Sequence, residues 1–260
     1  MDDKINLDLE NTNILAIDIG GSHIKAAVLN IKGEYLSDYQ KIETPLASTT
    51  DNVVKAIRDL IRNFPPYDKI GVGFPGYVKD GVIKTAPNLG NNYWADVNLG
   101  QALANHLQKP VRVVNDADFQ GLALINGKGL EMVITLGTGF GTALFMDGAL
   151  LPHLELAHLP VRKSKDYDAF IGEKALQKEG LENWNNRMKE VLETFKTVVN
   201  YDNLFLSGGN AKRLSFKLDK NIQIVSNKDG IKGGAFLWRV AESYCVKTAY
   251  PTQKQIENGN

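Results

Sequence analysis

Asn115-Asp116-Ala117-Asp118 follows the apolar run Val111 to Val114, so an amide and two carboxylates stand where a buried strand hands over to the next element. Sheets of α/β proteins gather their ligands in the crevice outside the carboxyl ends of strands. A carboxylate there has the chemistry of a general base toward a hydroxyl, and Asp116 is the candidate. Asp118 has a plainer use, capping the helix that follows, and that cap is the expectation for it.

Two glycine-bearing turns have the chemistry to meet a phosphate. In the first, Asp18 is followed by Ile19, Gly20, Gly21 and Ser22, with Lys25 just beyond. Glycines let backbone N–H groups approach an anion closely, Ser22 can donate a hydrogen bond, and Asp18 can hold Mg²⁺ directly or through water. A plain hairpin explains the same residues about as well when the turn is taken alone. The second, Leu136-Gly137-Thr138-Gly139-Phe140-Gly141, is stronger, because alternate glycines around Thr138 expose successive N–H donors. It is neither a Walker loop nor a dinucleotide fingerprint, since the residues after it read as a strand and not a helix. Ser207-Gly208-Gly209-Asn210-Ala211-Lys212 ends a third apolar run and would let a nucleotide's base or ribose lie against backbone; a tight strand-to-helix turn is the ordinary alternative.

His153-Leu154-Glu155-Leu156-Ala157-His158 brings two imidazoles and a carboxylate together without the HExxH spacing of a zinc helix and without a nearby cysteine. A sugar offers only hydroxyls, which suit a carboxylate paired with an imidazole. Sugar contact ranks first for this cluster, a metal second, a structural turn third.

The elements that must position these residues follow from periodicity. Ile14 to Ile19, Ile24 to Leu29 and a third run after Gly33 read as three strands joined by turns. Asp51 to Phe64 spaces its apolar residues on one helix face, with Asp51 as the expected cap and Pro65-Pro66 as the stop. Strands are expected at 69–74, 111–114, 131–136, 142–145, 203–206 and 222–225, and helices at 97–107, 118–125, across much of 166–199, and at 230–244. The glycine turn between two strands occurs twice, which predicts two similar halves. Residues 248–260 are polar and aperiodic and are expected to be loosely ordered.

Composition narrows the classes of function. Thirty Lys plus Arg balance thirty Asp plus Glu over 260 residues, so the formal net charge is zero and a whole-surface basic footprint for nucleic acid is excluded. One cysteine, Cys245, makes neither an internal disulfide nor a cysteine-rich metal framework, and fits a reducing compartment. The acidic stretch Met1 to Glu10 lacks the pattern of a secretory signal, and the glycines of 137–141 interrupt the longest apolar stretch, so the expectation is a cytoplasmic protein without a membrane span.

In number and order, these motifs resemble the ROK family (repressors, open reading frames and kinases) of the actin-like ATPase and sugar kinase superfamily, from Ile14 to about Tyr244. Within it, Asn115 to Asp118, Thr135 to Phe145 and Pro152 to His158 look closest to the polyphosphate glucokinase branch. The resemblance implies two actin-like, ribonuclease H-like α/β domains with a cleft between them, divided at 1–117 and 118–247. It implies a cytoplasmic, homodimeric kinase that moves a phosphoryl group from ATP or polyphosphate, with Mg²⁺, to the primary hydroxyl of a hexose, foremost glucose. Asp116 is then the base. Gly76, Asn88, Asn115, Glu155 and His158 hold the sugar, with Gly73-Phe74-Pro75-Gly76 and Pro87-Asn88-Leu89 as its loops. Asp18, Gly20, Gly21, Ser22 and Lys25, then Gly137, Thr138, Gly139 and Gly141, serve the phosphates, and Gly208, Gly209 and Lys212 the adenosine. Polyphosphate calls for a basic groove, for which Arg162, Lys163 and Lys165 are candidates beside the ordinary reading of a solvated face.

Two departures stand out. The family's cysteine-rich zinc motif after Glu-x-x-His is missing, so no zinc is expected, and Asp166, Asp168 and Glu173 are candidates for the glutamate found there. Ala157 stands where a glycine is usual, which would tighten the turn before His158. The family's repressors carry a winged-helix DNA reader ahead of the first strand, where Met1 to Asn13 leave no room, so no nucleic acid partner is expected. A non-catalytic sugar sensor of the same fold is the alternative to a kinase.

Overall fold

The computed structural model describes residues 10–162 and 165–252. The strands of its first half are β1 (Asn13–Ile19), β2 (His23–Asn30), β3 (Gln40–Glu43), β4 (Lys69–Phe74), the small hairpin β5 (Val78–Lys79) and β6 (Val82–Ile83), and β7 (Val111–Asn115). Those that follow are β8 (Leu130–Leu136), β9 (Phe140–Met146), β10 (Ala149–Leu150), a second small hairpin of β11 (Pro160–Arg162) and β12 (Lys165–Asp166), then β13 (Asn203–Ser207), β14 (Ile222–Ile224) and β15 (Thr248–Ala249). They form two main sheets, ordered β15-β7-β4-β1-β2-β3 and β10-β9-β8-β13-β14. Apart from β15 the orders match. In each, an antiparallel hairpin (β1–β2, β8–β9) is extended on the side of its first strand by two parallel strands (β4 and β7, β13 and β14). The two similar halves expected from the recurring glycine turn are thus two sheets of one topology.

β1 is apolar almost throughout because both of its faces are covered. Its alternation sends Leu15, Ile17 and Ile19 into a core shared with α1 (Thr50–Leu60), α2 (Asn91–Trp94) and α3 (Leu99–Leu107). Ile14 and Ala16 go to the opposite side, into a core that also takes Val133, Phe145 and Phe205 from the second sheet. That middle core joins the two halves. A third covers the outer face of the second sheet with α5 (Tyr167–Ile171) and the long α6 (Glu173–Val199), which kinks at Gly180 where φ is +79°.

Several local expectations are corrected. Thr49, not Asp51, caps α1 through its side chain, and Asp51 sits in the first turn where its charge suits the helix dipole. The helix expected from Asp118 begins at Asp116 as α4 (Asp116–Gly121), because the Asn115 side chain accepts from the Ala117 and Asp118 amides and is itself the cap. The helix expected over 230–244 is only α7 (Gly233–Phe236), preceded by a 3-10 turn over Asn227–Lys232. Close approach explains those glycines: a Cβ on Gly71 of β4 would lie 2.3 Å from the Gly234 carbonyl oxygen, and one on Gly234 would lie 2.5 Å from the Ala16 Cβ. The chain returns to the first sheet backbone against backbone. Thr248 and Ala249, expected to be loose, pair with Arg112 and Val111, and Arg112 Nε donates to Thr248 Oγ1 at 3.0 Å. Residues 253–260 of the expected tail lie outside the described residues.

Candidate active site

The two glycine turns close the equivalent hairpins of the two sheets. At the first, Gly20 N–H donates to the His23 carbonyl at 2.9 Å, and the Thr44 hydroxyl donates to the Gly20 carbonyl at 2.6 Å, which ties the turn down. A Cβ on Gly21 would lie 3.2 Å from the Asn88 Cβ, so the loop carrying Asn88 sits against this turn, and Ser22 and Asn88 are both exposed. Asp18 is buried at the end of β1, and Lys25, opposite it on β2, donates from Nζ to Asp18 Oδ2 at 2.9 Å. Beside them opens a cavity of about 440 Å³ lined by Asp18, Lys25, Tyr35, Tyr39 and Gln120. The tyrosines and Gln120 carry no motif and were not legible in the sequence.

Asp116 stands at the first turn of α4, at the carboxyl end of β7, partly buried. Burial first, and then the nearby charge of Asp18, push its carboxyl up to about 7. Asn115 beside it is buried and uses both ends of its amide: Oδ1 accepts from Ala117 N at 2.7 Å, and Nδ2 donates to the Gly76 carbonyl at 3.1 Å. Gly76 itself has no room for a side chain, since a Cβ would meet the Thr85 carbonyl oxygen at 2.0 Å.

The second glycine turn, 137–139, is braced from beneath. Phe140 N donates to Asp168 Oδ1 at 2.8 Å, and Asn210 Nδ2 reaches Glu173 Oε2 at 2.6 Å and the Gly137 carbonyl at 3.3 Å. A Cβ on Gly137 or on Gly209 would meet nothing within 4 Å, so both face open space. Gly141 is different: its Cβ would approach Ala117, and its bareness lets the hairpin close on α4. Gly208 has φ +93° and packs on Leu136, so it shapes the turn after β13, which leads into a 3-10 turn over Ala211–Arg213 with the exposed Lys212.

The histidine cluster is arranged as a chain of ion pairs. Asp118 Oδ2 lies 3.0 Å from His153 Nδ1, and His153 Nε2 lies 3.5 Å from Glu155 Oε1. Glu155 Oε2 lies 3.9 Å from His158 Nε2, and His158 Nδ1 lies 3.3 Å from Asp166 Oδ2. Acid and base alternate along five residues. Burial alone would lower the His153 pKa, but Asp118 and Glu155 overcome it and raise it to about 10. Burial alone would raise Glu155, and His153 reverses that to a net lowering. Asp118, expected to be a helix cap, is instead the buried end of this chain, its carboxyl pushed up by burial against the pull of His153. Tyr77, from the loop after Gly76, stacks on His153 with ring centroids 6.0 Å apart.

Of the three acidic candidates for the missing glutamate, only Asp166 is in contact with this cluster. Asp168 and Glu173 serve the second glycine turn. Ala157 lies in the 3-10 turn Leu156–His158 and does not enter the positive-φ region that would demand glycine. The basic run dissolves into ion pairs with α6: Arg162 Nη2 lies 3.1 Å from Glu190, and Lys165 Nζ lies 3.5 Å from Glu179. Lys163 lies outside the described residues. Among the described residues no group of three or more His, Cys, Asp or Glu is placed to hold a metal ion, and no helix is long and apolar enough to cross a membrane.

Two duplicated α/β halves, each closed by a glycine hairpin, with carboxylates at the strand ends of the first, define the actin-like class of phosphotransferase folds. The ROK family model matches residues 14–158. The polyphosphate glucokinase of Mycobacterium leprae is 33% identical over 221 residues, covering 82% of this chain and 67% of that protein. The polyphosphate/ATP-glucomannokinase of Arthrobacter sp. strain KM superposes with a TM-score of 0.79 at 28% identity, covering 88% of this chain and 100% of that one. A ROK family glucokinase of Streptomyces griseus, solved with glucose and AMPPNP, shares the fold at a TM-score of 0.72 and 19% identity, covering 86% of this chain and 98% of that one. This chain belongs to the ROK family.

Proposed function

We propose that this protein is a sugar kinase that transfers a phosphoryl group from ATP or polyphosphate to the primary hydroxyl of glucose, giving glucose 6-phosphate. The observation that carries the reading is Asp116, a carboxylate pushed up to about 7 between the two glycine hairpins of a ROK-family chain. A general base is most effective when its pKa lies near the working pH. A sensor that only binds sugar has no use for such a group.

The sugar's primary hydroxyl gives its proton to the Asp116 carboxylate as its oxygen bonds to the terminal phosphorus, and the bond from that phosphorus to the bridging oxygen breaks. ADP or a polyphosphate shorter by one unit leaves. Most of the barrier is met by positioning and by charge stabilisation. The amides of Gly21 and Ser22 and of Thr138 and Gly139 hold the phosphates, while those of Gly20 and Gly137 close their turns on the His23 and Gly139 carbonyls, and Lys25 brings a cation beside Asp18. The cavity next to Asp18 and Lys25 gives the donor chain room. Gly208, Gly209 and Lys212 form the floor for an adenosine.

Magnesium fits this donor set. Asp18 is a hard oxygen ligand whose charge also contributes to the raised Asp116, and Mg²⁺ characteristically uses one or two carboxylates with phosphates and water. When bound, it would neutralise charge on the phosphates.

On the sugar side, Asn88, Glu155 and His158 take hydroxyls. Asn115 offers the second hydrogen of the amide nitrogen that already holds Gly76. A polar pocket of this kind discriminates well, because a hydroxyl that is missing or misplaced leaves a buried group unpaired. The assembly is a homodimer, in line with the family resemblance, and sedimentation checks it.

The test is phosphorylation of glucose with Mg²⁺, run separately with ATP and with polyphosphate and read through a coupled glucose-6-phosphate dehydrogenase. Turnover with at least one donor, lost in Asp116→Asn, is expected. Folded protein that binds glucose yet turns over with neither donor would point to the sensor.

A further inference from the structure

Glu155 sits outside the regular elements, just before a 3-10 turn, and carries a side chain with three freely rotating bonds. Holding such a carboxylate in one orientation costs about 1–2 kcal/mol of rotamer entropy unless something already fixes it. His153 is placed to do so. Both of its ring nitrogens lie beside carboxylates, Asp118 at 3.0 Å and Glu155 at 3.5 Å, at ion-pair distance though outside hydrogen-bond geometry, and the two negative charges favour the protonated imidazole. Its side chain is 7% exposed, and Tyr77 covers its ring from the opposite half of the protein. Asp118 Oδ1 and both His153 ring nitrogens are buried without hydrogen-bond partners among the described residues, so the charge of Asp118 is met by its ion-pair contact with His153.

The placement of Asp118 gives the arrangement its consequence. Asp116 and Asp118 belong to one short helix, α4. From that helix the chain runs through His153 to Glu155, so the residue assigned to hold the sugar is tied to the element that carries the base. We propose that His153 and Asp118 are positioning residues that fix the Glu155 carboxylate relative to Asp116, and so set where the sugar's hydroxyls lie against the base. They act through Glu155 and touch neither the sugar nor the phosphoryl donor. The inference rests on the assignment of Glu155 to the sugar.

The experiment is steady-state kinetics of the full chain with glucose and with each donor, for His153→Gln, Glu155→Gln and the double variant, with thermal unfolding of each. A glutamine reaches one of the two carboxylates but cannot bridge both as a cation. His153→Gln is expected to raise KM for glucose about tenfold and to lower kcat severalfold, with KM for the donor within about threefold. Glu155→Gln is expected to raise KM for glucose about 100-fold, and the double variant to be no worse than Glu155→Gln alone, since the effect of His153 passes through the carboxylate already removed. A folded His153→Gln protein with unchanged KM for glucose, or effects that multiply in the double variant, overturns the proposal while leaving Glu155 on the sugar. An unchanged KM in Glu155→Gln overturns the sugar assignment and this inference with it. If His153→Gln fails to fold, Asp118→Asn, which keeps the shape and removes the outer charge, carries the same expectation and the same refutation.

Discussion

Replacing Asp116 with asparagine should make the protein more stable while abolishing phosphorylation, and the gain should grow with pH. The carboxyl is raised from 3.8 to about 7 in the folded protein, by burial and by Asp18. The folded state therefore holds a proton that the unfolded chain has already released, so stability falls as pH rises from about 4 to about 7 and stays low above that. A rise of that size is worth about 4 kcal/mol at pH 8 and about 1.6 kcal/mol at pH 5. Asp116 is only partly buried, and water in the cleft screens part of this, so about 1–3 kcal/mol is the expected gain at pH 8. Urea unfolding of both proteins at pH 5 and pH 8, without Mg²⁺ or substrates, reads it directly; subtracting one protein from the other removes the other titrating groups they share. A variant no more stable than the parent at pH 8, or a difference equal at the two pH values, would refute a strained Asp116 carboxylate and with it the physical basis for this base.

The same group should leave its mark on turnover: kcat/KM for glucose is expected to fall tenfold per pH unit below about 7 as the base is protonated, which a pH–rate profile measures. Asp166→Asn keeps a capping oxygen for Ala169 N–H but removes the carboxylate 3.3 Å from His158 Nδ1, so stability should change by about 0.5 kcal/mol or less while KM for glucose rises severalfold. Gly71→Ala places a Cβ 2.3 Å from the Gly234 carbonyl oxygen with backbone on both sides, and should cost about 3 kcal/mol or more by chemical unfolding. Lys25→Met removes the cation on Asp18 and should raise KM for the phosphoryl donor more than KM for glucose, in kinetics with either substrate varied.

What was legible in the sequence was local. A strand that ends in Asn115-Asp116, and glycines that interrupt two strand pairs, are complete within a few residues, so the hairpins and the carboxylate at the strand end could be placed before any fold was known. Asp118 was not legible in this way. A carboxylate at the expected start of a helix reads as a cap, and what displaces it is Asn115 three residues earlier, whose side chain satisfies the Ala117 and Asp118 amides and frees Asp118 for a histidine that arrives only after the second hairpin. The partners of Arg162 and Lys165 were hidden for the matching reason: Glu190 and Glu179 lie far along α6 and reach them only in the folded chain. The carboxy-terminal stretch shows how far such non-local terms go. Its apolar spacing resembles one long helix, yet contact with Gly71 and Ala16 selects a short α7, and the chain beyond it ends as a strand on β7. Apart from the α1 cap, which Thr49 takes two residues before Asp51, the misread residues are polar or glycine residues whose partners are distant in sequence. The His153 chain belongs to that class, since no spacing rule predicts that Asp118 and Asp166 would end on two imidazoles flanking one glutamate.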